Sequence, residues 1–349
     1  MDNEGFLLNT QNAREYLAEW GLARGDEDFS VHALGGGVSN IVLMVEFPGI
    51  PEQRWVMKQS LGKLRVQDDW RSDRARIFRE AEAIQALRPV LGPAAVPEVI
   101  HLDRENYLFI MTAAPPGSQP WKDLLLARRA DSEVARNAGL LLAKMINGSR
   151  DDDSLISKFQ DRTVFDQLRI DPYYQTTAAR HPELRPQFDE LIATSLEIRN
   201  SLVHGDYSPK NMLVTGGNIF LIDFEVVHWG DPSFDAAFLL NHLLLKAFHI
   251  PPASEQFMAL TRDFWETLIA ALLPETASGI EAMTLRHLGG LMLARIDGKS
   301  PVEYIHDETT KHRVREAATK ILLESPRTIE GAVAIVRRVT NPQMLKGKV

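Results

Sequence analysis

The sequence predicts an α+β fold of two unequal lobes: a small lobe built on an antiparallel sheet with one helix, and a larger, mostly helical lobe carrying a short sheet. Three observations predict it. The chain has 349 residues, too many for one small core. Short apolar and β-branched runs crowd the region before residue 112, whereas the remainder follows mostly helical periodicity. Between the two stands "AAPPGSQP", the clearest proline and glycine punctuation in the chain. The expected division is a first lobe over 1–112 and a second over 113–349.

Each element has its own warrant. "MDNEGFLLNTQNAREYLAEWGL" reads as an amphipathic helix, acidic and without the basic start and apolar core of a signal peptide. "FSVHALGGGVSNIVLMVEF" reads as strand, glycine turn, strand, and "RWVMKQS" over 54–60 as a third strand. "DRARIFREAEAIQALRPV" is helical, with Asp73 able to cap its start and Pro89 marking its end. "VPEVIHLDRENYLFIMT" is a hairpin turning at Asp103 to Asn106. Past the punctuation, "DSEVARNAGLLLAKMING" places Val134, Leu141, Leu142 and Met145 on one helical stripe. "FDAAFLLNHLLLKAFHI" is the most apolar long stretch, but it carries Asp235, Asn241, His242 and Lys246 and reads as a buried helix rather than a membrane span.

Hydrophobic residues at 44% and charged residues at 25% are ordinary for a soluble globular chain. A formal net charge of −8 argues against nucleic acid as the main partner and leans weakly toward a cationic small molecule. The absence of cysteine excludes disulfides, zinc–thiolate sites and thiol nucleophiles. The expectation is a cytoplasmic protein with no membrane or nucleic-acid partner. Oligomeric state is not indicated.

The chemistry concentrates in two polar breaks. "VHGDYSPKNMLV" (203–214) is apolar at both ends but opens to show His204, Gly205, Asp206 and Asn211, and "NIFLIDFEVV" is interrupted by Asp223. Buried without partners, such interruptions are costly. Two carboxylates and an amide oxygen suit a hard cation such as Mg²⁺, completed by phosphates and water, and one carboxylate can instead orient an attacking hydroxyl. Upstream, "LGGGVSN" lets backbone N–H groups approach a phosphate, although a plain hairpin turn reads the same way. Lys58 shares a strand face with Val56. On the following helix Glu80 falls on the stripe of Ile77, Ala81, Ile84 and Leu87, whereas Glu82 points away. A carboxylate on a buried face needs a cation, so Glu80 is the expected partner of Lys58.

Glycine turn, strand lysine, helix glutamate, "HGDYSPKN" and then "LIDFEVVHWGDPSFDAA" resemble, in that order, the aminoglycoside phosphotransferase and choline kinase superfamily, with its protein-kinase-like fold. The resemblance runs from Leu34 to Leu240. It implies ATP and Mg²⁺ as cofactors, Gly35, Gly36, Gly37, Ser39 and Asn40 at the nucleotide phosphates, and Lys58 on the α- and β-phosphates, held by Glu80. It makes Asp206 the catalytic aspartate and Asn211 and Asp223 the metal ligands. His204 braces the loop and Asp235 ties it down. Glu225 stands where protein kinases have the glycine of Asp-Phe-Gly, which argues against a switching activation loop. Lys210 and the segment "LARIDGKSPVEYI" (293–305) receive no role. The implied activity is transfer of the γ-phosphate of ATP to a hydroxyl of a small acceptor: an aminoglycoside, an amino alcohol or a sugar such as methylthioribose. A nucleotide-binding regulator without catalysis and a metal-dependent hydrolase are the rival classes.

Overall fold

The strand-like runs before residue 112 form one sheet. The computed structural model describes residues 6–24, 27–35, 40–50, 52–62 and 73–340. Strands β1 (Ser30–Ala33), β2 (Asn40–Glu46), β3 (Arg54–Ser60), β4 (Val99–Asp103) and β5 (Leu108–Thr112) pair antiparallel in the order β1-β2-β3-β5-β4. Period-two alternation sorts their side chains. Leu43, Val45, Met57, Leu108 and Ile110 pack with Tyr16 and Leu17 of α1 (Ala13–Glu19). Val56, Lys58 and Phe109 belong to the opposite pleat, where α2 (Arg76–Leu91) lies with Ile77, Ala81, Ile84 and Leu87 fully buried.

Two sequence expectations need correction here. The first helix begins only at Ala13, because Asn9 and Asn12 bond each other's backbone N–H groups at 2.8 and 3.0 Å and divert the preceding residues into a turn. Helix α2 runs through Pro89 to Leu91. Proline removes a bond to the carbonyl of Gln85, but both residues lie on the exposed face, where water can take that carbonyl. The helix stops at Gly92, whose φ of 94° lies outside the range of ordinary side-chain-bearing residues. Asp103 accepts from the N–H groups of Glu105 and Asn106, both at 3.0 Å, and fixes the β4–β5 turn.

The chain divides into two compact units, Met1–Ser118 with Phe220–Val226, and Gln119–Ile219 with Val227–Val349. The larger unit is mostly helical, giving the α+β class the sequence predicts. After β6 (Gln119–Pro120) come α3 (Trp121–Leu126), α4 (Ser132–Ser149), α5 (Asp153–Phe159) and α6 (Thr163–Phe165). A π-helix over Asp166–Gln175 follows, then α7 (Thr176–Arg180) and α8 (Arg185–Glu197). Strands β7 (Ser201–Val203), β8 (Met212–Thr215), β9 (Asn218–Leu221) and β10 (His228–Gly230) frame the two polar breaks, β7 pairing with β10 and β6 with β8. Helices α9 (Ser233–His249), α10 (Ser254–Ala271), α11 (Pro274–Asp297), α12 (Glu308–Glu324) and α13 (Ile329–Thr340) complete it. Helix α9 is buried along nearly its whole length. Among the described residues no helix is long and apolar enough to cross a membrane. Helices α4 and α10 touch at Gly139, where a Cβ would come within 2.6 Å of the Phe264 carbonyl oxygen, so only glycine permits that approach.

Candidate active site

In the smaller unit, β3 and α2 present one lysine among three carboxylates. Lys58 Nζ lies 2.9 Å from Glu80 Oε1, 2.7 Å from Glu80 Oε2 and 2.7 Å from Asp223 Oδ1. Glu80 is completely buried, whereas Glu82 faces outward to Arg104 at 3.2 Å. Burial pulls the Lys58 ammonium down, but Asp223, Glu80 and Glu225 outweigh it and hold it above its ordinary value. Glu80 is pushed up to about 7, first by burial and then by Asp223 and Glu225, with Lys58 opposing.

Asp223 sits in the left-handed region at φ 70°, an uncommon conformation for a residue with a Cβ and one found at functional sites. Glu225, with no role in the sequence reading, accepts from Asn40 Nδ2 at 3.0 Å and Arg76 Nε at 3.2 Å, tying the start of β2 to α2. One oxygen each from Glu80, Asp223 and Glu225 falls within 4.8 Å of the others. This all-oxygen donor set is of the kind a hard divalent cation takes. Gly35 has open space where a Cβ would stand. Gly36, Gly37 and Ser39 lie outside the described residues.

In the larger unit the loop between β7 and β8 is held from three sides. Asp235 at the start of α9 accepts from the N–H of His204 at 2.6 Å and of Gly205 at 2.9 Å. Gly205 takes φ 76°, which lets the chain turn there without a Cβ penalty. His204, fully buried, accepts the Asp206 N–H on Nδ1 at 3.2 Å, which places its own proton on Nε2. Asn211 Nδ2 donates to the Asp206 carbonyl at 2.9 Å and closes the loop, so any metal contact falls to its amide oxygen. Burial pushes the Asp235 carboxyl up to about 7 against those two N–H bonds.

Asp206 Oδ2 is gripped by two cations, Arg169 Nη2 at 3.1 Å and Lys210 Nζ at 2.9 Å. Burial alone would raise its pKa. Lys210 and Arg169 reverse that and hold the carboxyl well below the usual carboxylate range. Asp206 is therefore ionised throughout the physiological range and suited to orienting a hydroxyl rather than holding its proton. Arg169 also donates to the Gly205 carbonyl. Sequence reasoning missed it, because it reaches the loop from the π-helix, where the wider turn around Pro172 departs from the 3.6-residue period. Lys210, to which the sequence assigns no role, is a partner of Asp206 across one turn of chain.

The chain belongs to the phosphotransferase enzyme family, whose sequence model matches residues 30–275. It is 28% identical over 221 residues to methylthioribose kinase 1 of Oryza sativa subsp. japonica, covering 55% of this chain and 51% of that relative. The chain thus spans about half that relative's length. Among solved structures it is similar to an ethanolamine kinase of Plasmodium vivax, with TM-score 0.54, 11% identity and coverage of 99% of this chain and 92% of that one. It is also similar to an ADP-bound aminoglycoside phosphotransferase, APH(2'')-Ib, with TM-score 0.51, 15% identity and coverage of 96% and 98%. At such identities the likeness is one of fold, and the fold is the two-lobe, protein-kinase-like one.

Proposed function

We propose that this protein transfers the γ-phosphate of ATP to a hydroxyl of a small molecule. The observation that carries the reading is the state of Asp206: a buried carboxylate, kept ionised by Arg169 and Lys210, on a loop fastened by Asp235 in a chain of the phosphotransferase enzyme family. Family membership together with Lys58, Glu80 and Asp223 in one cluster supports nucleotide binding by the smaller unit.

Asp206 accepts a hydrogen bond from the acceptor hydroxyl and aims its lone pair at the γ-phosphorus. The acceptor O–P bond forms as the bond from the γ-phosphorus to the bridging oxygen breaks, ADP leaves with that electron pair, and the hydroxyl proton is released to solvent once the new bond has formed, Asp206 serving to orient the hydroxyl. Lys58 offsets negative charge on the α- and β-phosphates, with Glu80 fixing its direction. The oxygen donors around Asp223 in the smaller unit fit Mg²⁺, which would supply charge neutralisation at the phosphates; Asn211 in the larger unit offers its amide oxygen as a candidate ligand. The names of the relatives, methylthioribose kinase, ethanolamine kinase and aminoglycoside phosphotransferase, support an alcohol acceptor and leave its identity to experiment. Calorimetric titration of Mg-ATP, followed by an ADP-release assay over a panel of small alcohols, tests the proposal. A chain that does not bind Mg-ATP refutes it.

A further inference from the structure

The face of α9 that carries Asp235 continues away from the loop. His242 and Lys246, seven and eleven residues on, fall within about 20° of Asp235 around the helix. Both are buried, Lys246 completely. Its Nζ donates to the His242 carbonyl at 3.2 Å and stands 5.1 Å from the Tyr304 ring centroid. Among the described residues no carboxylate forms an ion pair with it. Glu303 acts on it from further off and is itself bonded to Lys122 at 2.9 Å.

A second cation adjoins the first. Arg295, near the end of α11 and only 8% exposed, donates from Nη1 to Tyr173 Oη at 3.1 Å, to Ser300 Oγ at 2.8 Å and to the Ser300 carbonyl. Its Nε is buried with no partner, as is the Tyr304 hydroxyl. The Tyr173 ring has Arg295 5.7 Å from its centroid and Arg169, the partner of Asp206, at 5.6 Å. His242 is acted on by Arg295, Lys246, Asp206 and Lys210 together. The segment 293–305 supplies Arg295, Glu303 and Tyr304. It turns at Gly298 against the π-helix, with the Lys299 N–H donating to the Pro172 carbonyl at 2.9 Å. A Cβ at Gly298 would come within 2.9 Å of that same oxygen.

A buried ammonium without a counter-charge is costly, and so is a buried guanidinium N–H without an acceptor. Arg295 shares the Tyr173 ring with Arg169, the partner of Asp206, and acts on Lys246, so one anion held between Lys246 and Arg295 would satisfy both. We propose that the acceptor of this phosphotransferase carries an anionic group, a carboxylate or a phosphate, bound by Lys246 and Arg295 while its hydroxyl reaches Asp206. The inference rests on the kinase reading and narrows it. Aminoglycosides and choline would set a cation against Lys246 and Arg295. Hydroxy acids and sugar phosphates would complete the charge. The acidic net charge of the chain, which leans the other way, is a property of the whole surface.

Burial pushes Lys246 down to about 7, with Glu303 opposing and Lys122 and Arg295 adding to the shift. His242 and His249 also face it, both held below their ordinary value by burial first. An anion bound beside Lys246 therefore draws a proton onto it above neutral pH, and binding is accompanied by proton uptake that Lys246→Met abolishes.

The experiment uses the full chain, with Mg-ADP binding measured first. Failure to bind Mg-ADP refutes the phosphotransferase reading itself. With Mg-ADP saturating, inorganic phosphate and acetate are titrated separately by calorimetry at about pH 8 in buffers of different ionisation enthalpy. The expected result is binding of at least one anion with proton uptake, weakened about tenfold or more in Lys246→Met and largely kept in Lys246→Arg. Phosphate alone points to sugar phosphates, and acetate alone to hydroxy acids. No binding of either anion, or equal binding in wild type and Lys246→Met, overturns the anion site while leaving the kinase reading standing. An ADP-release assay in which neutral or amino sugars outperform their acid and phosphate derivatives overturns it as well.

Discussion

Replacing Lys58 with methionine isolates what the buried ion cluster does. Methionine keeps the side chain's length and apolar stem but removes its charge, leaving Glu80 fully buried beside Asp223 and Glu225. Stranding one partner of a buried pair costs about 3–5 kcal/mol. At about 2–4 °C per kcal/mol for a chain of this class, the melting temperature should fall by roughly 6–20 °C above neutral pH. The sign of the pH dependence follows from Glu80. Its folded pKa is already raised to about 7, and losing Lys58 raises it further. A raised carboxylate destabilises the fold only where the unfolded state would ionise it, so the loss should shrink as pH falls toward the unfolded value of about 4. Lys58→Met/Glu80→Gln should regain most of the stability but none of the nucleotide affinity, which should drop roughly ten- to a hundredfold with the charged contact. Thermal melts at two pH values and Mg-ATP titration of the single and double variants measure all of this. A double variant no more stable than Lys58→Met would refute the stranded-charge argument, and unchanged Mg-ATP affinity would remove Lys58 from the phosphates.

Two further outcomes follow from the geometry. Arg169→Met removes one of the two cations on Asp206, so the carboxyl's pKa should rise by about 1–3 units. Because the ionised form is the one that acts, the acid limb of the kcat/KM profile should move toward neutral pH, and an unmoved limb would deny Arg169 its electrostatic role. Gly139→Ala should destabilise by about 1–3 kcal/mol by forcing α4 from α10, with nucleotide affinity of the folded fraction unchanged. A melting temperature equal to wild type would show that those helices can part freely.

Much of this was legible in the sequence wherever a local rule and the fold agree. The choice of Glu80 over Glu82 needed only helical periodicity, and the structure sets Glu80 against Lys58 and Glu82 against Arg104. Strand β3 occupies the residues its pattern marks, and the fastening of the His204 loop by Asp235 matches what the family resemblance implies. Legibility failed where context overrides local pattern. Asn9 and Asn12 compete for backbone N–H groups that periodicity assigns to a helix, and Pro89 persists inside α2 because its orphaned carbonyl faces water. Arg169 comes to Asp206 from a π-turn that leaves no periodic trace. Glu225, read only as a departure from Asp-Phe-Gly, has its meaning in partners 185 and 149 residues away in sequence. Arg295 and Lys246 belong to separate helices, and nothing in either helix alone signals the other.

In the proposed mechanism two aspartates divide the work, Asp223 toward the metal and nucleotide and Asp206 toward the acceptor. The most direct measurement is calorimetric titration of Mg-ATP into the wild-type chain, Asp223→Asn and Asp206→Asn, with turnover measured on the same preparations. Mg²⁺-dependent binding to the wild type is predicted, weakened in Asp223→Asn by at least about tenfold. In Asp206→Asn binding should be nearly unchanged while transfer falls roughly a hundredfold or more. Equal loss of binding in the two variants, or full turnover by Asp206→Asn, would contradict the account.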